Sequence, residues 1–125
     1  MKHFMILDTR LCITYFWNRI SEITLDCSNE KISMQYNGEQ LNECLVWVDS
    51  TEHRDSEGNE IYMGDTIVFD GIQCVVTTDK NNAYICVGVD DALPVCFLLD
   101  VHSKCTVVSR IETLYDIKKY GINTY

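Results

Sequence analysis

Few residues in this chain stand at spacings that could do chemistry. His102-Ser-Lys-Cys105 sets an imidazole and a thiol three apart, as two corners of a tetrahedral zinc site would require. No CxxC pair or second His/Cys pair lies close enough to complete the tetrahedron, so no metal is expected. Asp55-Ser-Glu-Gly-Asn-Glu60 alternates oxygen ligands as calcium loops do. Gly58 is misplaced for an EF-hand loop and no helical pattern flanks the run, so a turn is the expectation. Glu60 and Asp65 are carboxylates near enough in sequence to work as an acid/base pair if one pKa were raised. No sequence neighbour supplies such a shift, and both are expected to bond turn amides instead. His3, His53 and His102 are far apart, and read as a terminus and two exposed turns. G-x-S-x-G, H-E-x-x-H and a phosphate-cradling glycine loop are all missing, so the chain is expected to be no enzyme and to carry no cofactor.

The charges suggest binding more than catalysis. Nineteen acids against ten bases give a net −9, which opposes approach to nucleic-acid phosphates or an anionic membrane. Glu52, Asp55, Glu57, Glu60, Asp65 and Asp70 face only Arg54 between positions 51 and 75, so that segment concentrates the excess. Exposed acids at Glu52, Asp55, Glu57 and Glu60, with Tyr62 beside them, are therefore the expected binding residues, and a protein with a basic surface is the expected partner.

The elements that must hold these residues read as strands. Asp55 and Gly58 bracket a tight turn, and Gly64-Asp65 lets the chain bend before Thr66-Ile-Val-Phe69 extends. Upstream, His3 to Leu7 and Cys12 to Trp17 are β-rich runs. Ile23, Leu25 and Cys27 alternate with polar residues, as do Ile32, Met34 and Tyr36, which predicts a hairpin around Ser28-Asn-Glu30. Asn37-Gly38 predicts a two-residue turn, and Leu45 to Val48 continues an antiparallel β meander. Tyr15, Phe16, Trp17, Tyr36 and Trp47 are expected in the core rather than as a base-stacking platform.

Downstream, Asp70-Gly71 separates two strand patterns and is the strongest hairpin signal. Strands are expected at Ala83 to Val87, Val95 to Asp100 and Cys105 to Val108, a spacing that suits a small SH3-like barrel. Ser109 with Glu112 reads as a capping box. It should open a short C-terminal helix with Ile111, Leu114 and Tyr115 on its apolar face, plugging one end of the barrel before Gly121.

At Ser50 to Val68 the run STEHRDSEGNEIYMGDTIV resembles the signature of the YopX family of phage and prophage proteins, roughly T-G-L-x-D-x-x-G-x-E-I-Y-E-G-D-x-V. Asp55, Gly58, Glu60, Ile61, Tyr62, Gly64, Asp65 and Val68 match. Glu52 and His53 replace the usual Gly and Leu, and Met63 replaces an acid. Val107 to Leu114 resembles the family's closing segment more loosely, with Ser109-Arg110 in place of Gly-Asn. The resemblance implies an SH3-like β-barrel in a phage or prophage setting and supplies no catalytic residues.

At 125 residues and 46% hydrophobic, the chain can bury one sizeable core. The expected division is an N-terminal β region over 1–49, packed on or continuous with a barrel over 50–125. No apolar run of about 18 residues and no signal-peptide pattern is present. Seven cysteines, odd in number and mostly flanked by aliphatics, read as reduced core residues. Together these predict a cytoplasmic protein of a bacterial host. The function expected is a non-enzymatic phage accessory protein that binds a host or phage protein, with inhibition of a host nucleic-acid-handling or antiviral defence factor through its acidic face as the expected outcome. The alternative is a nucleic-acid-binding SH3-like module.

Overall fold

A computed structural model describes residues 3–26 and 31–122. The chain is mainly β, 51% strand and 14% helix, with antiparallel sheets and one half-barrel. The central element is β1 (Phe4–Asp8), buried along its whole length. Its apolar run has no polar face because it has no solvent face. Met5 and Leu7 enter one core with Val48, Tyr62 and Met63, while Phe4 and Ile6 enter another with Ile32 and Met34.

β1 pairs on one side with β2 (Ile13–Phe16) and on the other with β6 (Leu45–Arg54), which in turn pairs antiparallel with β7 (Glu60–Tyr62). Trp17–Arg19 forms a 3₁₀ turn after β2. β3 (Glu22–Asp26), β4 (Lys31–Tyr36) and β5 (Glu39–Leu41) make a separate three-stranded sheet. The expected meander is thus interrupted: β3 to β5 meander, and β6 leaves them to pair with β1. The expected turn at Ser28 to Glu30, with Cys27, lies outside the described residues. Asn37 and Gly38, both at positive φ, form the anticipated hairpin turn. β6 runs through position 49/50, so the N-terminal strands and the signature stretch are continuous.

The second half is one five-stranded antiparallel sheet. It comprises β8 (Thr66–Phe69), β9 (Ile72–Thr78), β10 (Tyr84–Gly88), β11 (Pro94–Phe97) and β12 (Thr106–Ser109). In the order β11-β10-β9-β8-β12, four strands meander and the fifth crosses back to pair with the first, the SH3-like order. Asp70 and Gly71 adopt the positive φ values that the β8–β9 hairpin needs. The strand expected to reach Asp100 ends at Phe97, because α1 (Leu98–Val101) and a 3₁₀ turn (His102–Lys104) carry the chain across the sheet. Leu98 and Val101 are buried by that turn, in a core with Ile61, Ile67, Val76, Cys74, Cys86 and Cys105. Cys12 and Cys44 differ from those thiols: both are exposed and sit at positive φ.

The C-terminal helix is α2 (Leu114–Lys119), and its N-cap is Thr113, not Ser109. Thr113 Oγ1 accepts from the Asp116 amide at 3.1 Å, while Ser109 is the last residue of β12. The pairing of β12 with β8 outcompetes the capping-box pattern. Leu114 and Tyr115 are consequently exposed; Ile117 is the buried residue of the helix, with Ile111 before it and Ile122 after it also buried. Gly121 at φ +64 closes the helix, with its amide donating to Lys118 O and the Ile122 amide to Ile117 O. α2 packs into the core of Met5, Leu7 and Val48 and does not plug the half-barrel's own core.

Candidate functional site

The signature stretch is built from its backbone outward. β6 and β7 fall out of register between Ser50 and Arg54, leaving Thr51 to His53 opposite Ile61 alone. Glu52 takes φ +63 at the top of this bulge, its amide donating to Ser50 Oγ. Thr51 Oγ1 donates to Ile61 O at 2.7 Å in a buried position, which fixes the bulge against β7. Glu52 and Glu57 are exposed as expected.

Asp55 and Glu60 are not exposed. Asp55 is buried: its Oδ1 accepts from the Glu57 and Asn59 amides and its Oδ2 from the Val107 amide, so one carboxylate closes the turn and ties it to β12. Burial pushes this carboxyl up, but the bonds from the Val107, Asn59 and Glu57 amides outweigh it and hold Asp55 below its ordinary value.

Glu60 is the hub of a side-chain network rather than a turn cap. It accepts from Ser50 Oγ, lies 2.8 Å from His3 Nδ1, and receives a long bond from the Tyr62 hydroxyl at 3.4 Å. Burial raises its pKa, and the Ser50 and His3 bonds overcome that and set it below the usual value. His3, expected to be a plain terminus, is stacked on Trp17 with ring centroids 4.0 Å apart. Tyr62 is buried, and burial with the Glu60 charge pushes its phenol up to about 12. His3, Glu52, Arg54 and Glu60 border a cleft of about 210 Å³. A histidine oriented by a carboxylate is acid/base equipment, yet here the serine donates to the glutamate and not to the imidazole. The Ser50 hydroxyl and the His3 ring therefore share one carboxylate rather than forming a serine–histidine relay.

Burial acts more strongly still on Asp65. Asp65 is fully buried, and its Oδ2 accepts from the Tyr62 amide at 2.8 Å and from Arg110 Nη1 at 2.5 Å. Arg110 also donates to Glu60 O, and its guanidinium carbon lies 5.3 and 5.2 Å from the Phe16 and Tyr62 ring centroids. Burial dominates and lifts the Asp65 carboxyl to about 7, against the pull of Arg110 and the Tyr62 amide. Asp65 does bond a turn amide, as expected, but its raised pKa comes from tertiary burial that no sequence neighbour announced. Gly64 makes this bend possible: at φ +83, an added Cβ would stand 2.9 Å from Ile111 Cβ.

His53 and His102, expected as separate exposed turns, meet with ring centroids 4.7 Å apart. Burial first, and then His102, hold the His53 imidazole below its ordinary value. His53, Tyr84, Phe97, Leu99 and Asp100 border a second, more apolar cleft of about 300 Å³ at the end of the half-barrel. Sequence reading placed Phe97 and Leu99 inside a strand and so missed this face.

Among the described residues no group of three or more His, Cys, Asp or Glu gathers as a metal site, and no helix is long and apolar enough to cross a membrane. Tyr15, Trp17 and Trp47 pack against the core of Phe4 and Ile6, so they form no free stacking platform. No protein family, curated protein or solved structure matches the chain.

Proposed function

We propose that this chain is a non-enzymatic accessory protein of phage or prophage origin that acts by binding a basic protein partner of the bacterial host. The phage setting rests on the YopX-like signature alone. The binding role rests chiefly on one observation: positions 81–103 contain no Lys or Arg, yet they expose Asp90, Asp91 and Asp100 together with Leu93, Val95, Phe97 and Leu99. Large apolar side chains beside one sign of charge are what a recognition surface presents. The docking acids are then those of β10 to α1, with Glu52 and Glu57 as a second acidic patch. Asp55, Glu60 and Tyr62 serve the fold. Inhibition of a nucleic-acid-handling or defence factor is the expected consequence, since such proteins carry the complementary basic surface.

The test is a tagged pull-down from host lysate, washed at rising salt, with the unaltered protein beside an Asp90→Lys/Asp100→Lys variant. Asp91 is left intact because its Oδ1 caps the Leu93 amide at 3.0 Å. A basic protein held by the unaltered chain, released by salt and lost from the variant is the expected result. Equal retention by both, or none by either, overturns the proposal.

A further inference from the structure

Resting on that binding role, the second cleft names the form of the partner. From its geometry we infer that the cleft between Tyr84, Phe97, Leu99 and Asp100 receives an extended partner segment, one apolar side chain entering it and an adjacent Lys or Arg reaching Asp100.

Phe97 is 53% and Leu99 69% exposed although both belong to the apolar end of a small barrel. Their neighbours in sequence explain why. Leu98 is fully buried and directs α1 inward, which leaves the residues on either side of it facing solvent. Tyr84 forms the opposite wall, half-buried and packed against two of the three cores, so it is held in place before anything binds. A cleft of about 300 Å³ walled by the Tyr84 and Phe97 rings with Leu99 beside them suits one or two side chains.

Charge decides the occupant. Asp100 borders the cleft, Asp90 and Asp91 stand beyond the far end of β11, and the nearest cation along the chain, Lys104, is 3.4 Å from Asp70 Oδ2. A second copy of this chain would set aspartates against aspartates, and a nucleic acid would set phosphates against them. A segment with cations beside its apolar residues meets no such repulsion. Among the described strands β11 is a sheet edge, but Pro94 lacks an amide donor and the pairing shifts register between Cys86 and Val87. A continuous backbone ladder along this edge is therefore a poor means of attachment. Side chains must supply the hold, with Phe97 and Leu99 as the anchors.

Three fluorescein-labelled peptides test this: one alternating leucine or valine with lysine or arginine, one with glutamate replacing every cation, and one with serine replacing every apolar residue. Anisotropy should show binding of the first at least about tenfold tighter than of either other. Phe97→Ser and Leu99→Ser should each weaken it about tenfold, and amide resonances of Tyr84, Phe97 and Leu99 should shift on titration. Asp100→Asn should flatten its salt dependence. Both apolar residues are exposed, so the serine variants keep the fold, and unchanged far-ultraviolet dichroism checks that. Equal binding by the serine variants overturns the inference, as does equal binding of the three peptides or a shift pattern centred on Glu52 and Glu57. So does a sedimentation result showing self-association through this face. If Asp90→Lys/Asp100→Lys loses the host partner while Phe97→Ser keeps it, acidic docking stands and the cleft falls. If the unaltered protein holds no partner at all, the binding role falls first.

Discussion

The signature stretch and the β10–α1 end of the half-barrel carry similar charges to opposite ends. In the first, Asp55, Glu60 and Asp65 turn inward and are consumed by amides, by His3 and Ser50, and by Arg110. In the second, Asp90 and Asp100 remain in solvent beside Phe97 and Leu99. The densest acidic run in the sequence thus keeps only part of its charge at the surface, Glu52 and Glu57. A carboxylate within hydrogen-bond reach of free amides satisfies the backbone before it serves a partner, and the turns around Gly58 and Gly64 offer such amides.

Substitutions can break this contrast, and the largest effect belongs to the most buried acid. Asp65→Ala leaves the Arg110 guanidinium without its carboxylate and the Tyr62 amide without an acceptor, and should cost about 3–5 kcal/mol in urea unfolding. Partner binding per folded molecule should not change. Asp65→Asn provides the pH form of the same test. A carboxyl whose folded pKa is raised to about 7 binds its proton more tightly in the native state. Its contribution therefore favours folding most below pH 4 and declines as pH climbs towards 7. The asparagine variant should lack that decline, and identical pH profiles for the two proteins would refute the burial of a titrating Asp65.

Gly64→Ala comes next, at about 2–4 kcal/mol, because left-handed backbone strain adds to the 2.9 Å approach of Ile111. Ile111→Val should recover part of that loss in the double variant. Asp55→Ala should cost about 2 kcal/mol through its orphaned amides. Asp55 is held below its ordinary value, so its contribution is present above about pH 4 and disappears as pH falls through the lowered pKa. Glu57→Ala, two residues away and exposed, should stay within about 0.5 kcal/mol. A comparable loss at Glu57 would show that the inward and outward acids are not distinct classes.

Legibility followed the range of the interaction. The hairpins at Asn37-Gly38 and Asp70-Gly71 were readable because two adjacent residues dictate the turn, whatever packs around them. The Ser109/Glu112 capping box was misleading for the complementary reason. It is a local pattern, and the pairing of Thr106–Ser109 with β8 overrides it and moves the helix start to Thr113. The site was half readable. Asp55 and Gly58 announce a turn, but nothing near position 60 in the sequence points to His3, 57 residues away, as the partner of Glu60.

By itself the sequence determined the mainly β character, the turn positions and the short C-terminal helix, because alternation, turn residues and helix stops act over a few residues. Only the tertiary structure decided which strand would be central, which acids would be buried and which apolar residues would be left outside. β1 is enclosed because β6 and two cores from distant parts of the chain close on it opposite its neighbour β2. Phe97 and Leu99 face solvent because Leu98 must fill the half-barrel core between them. Burial is a property of what arrives from elsewhere, and no local pattern records it.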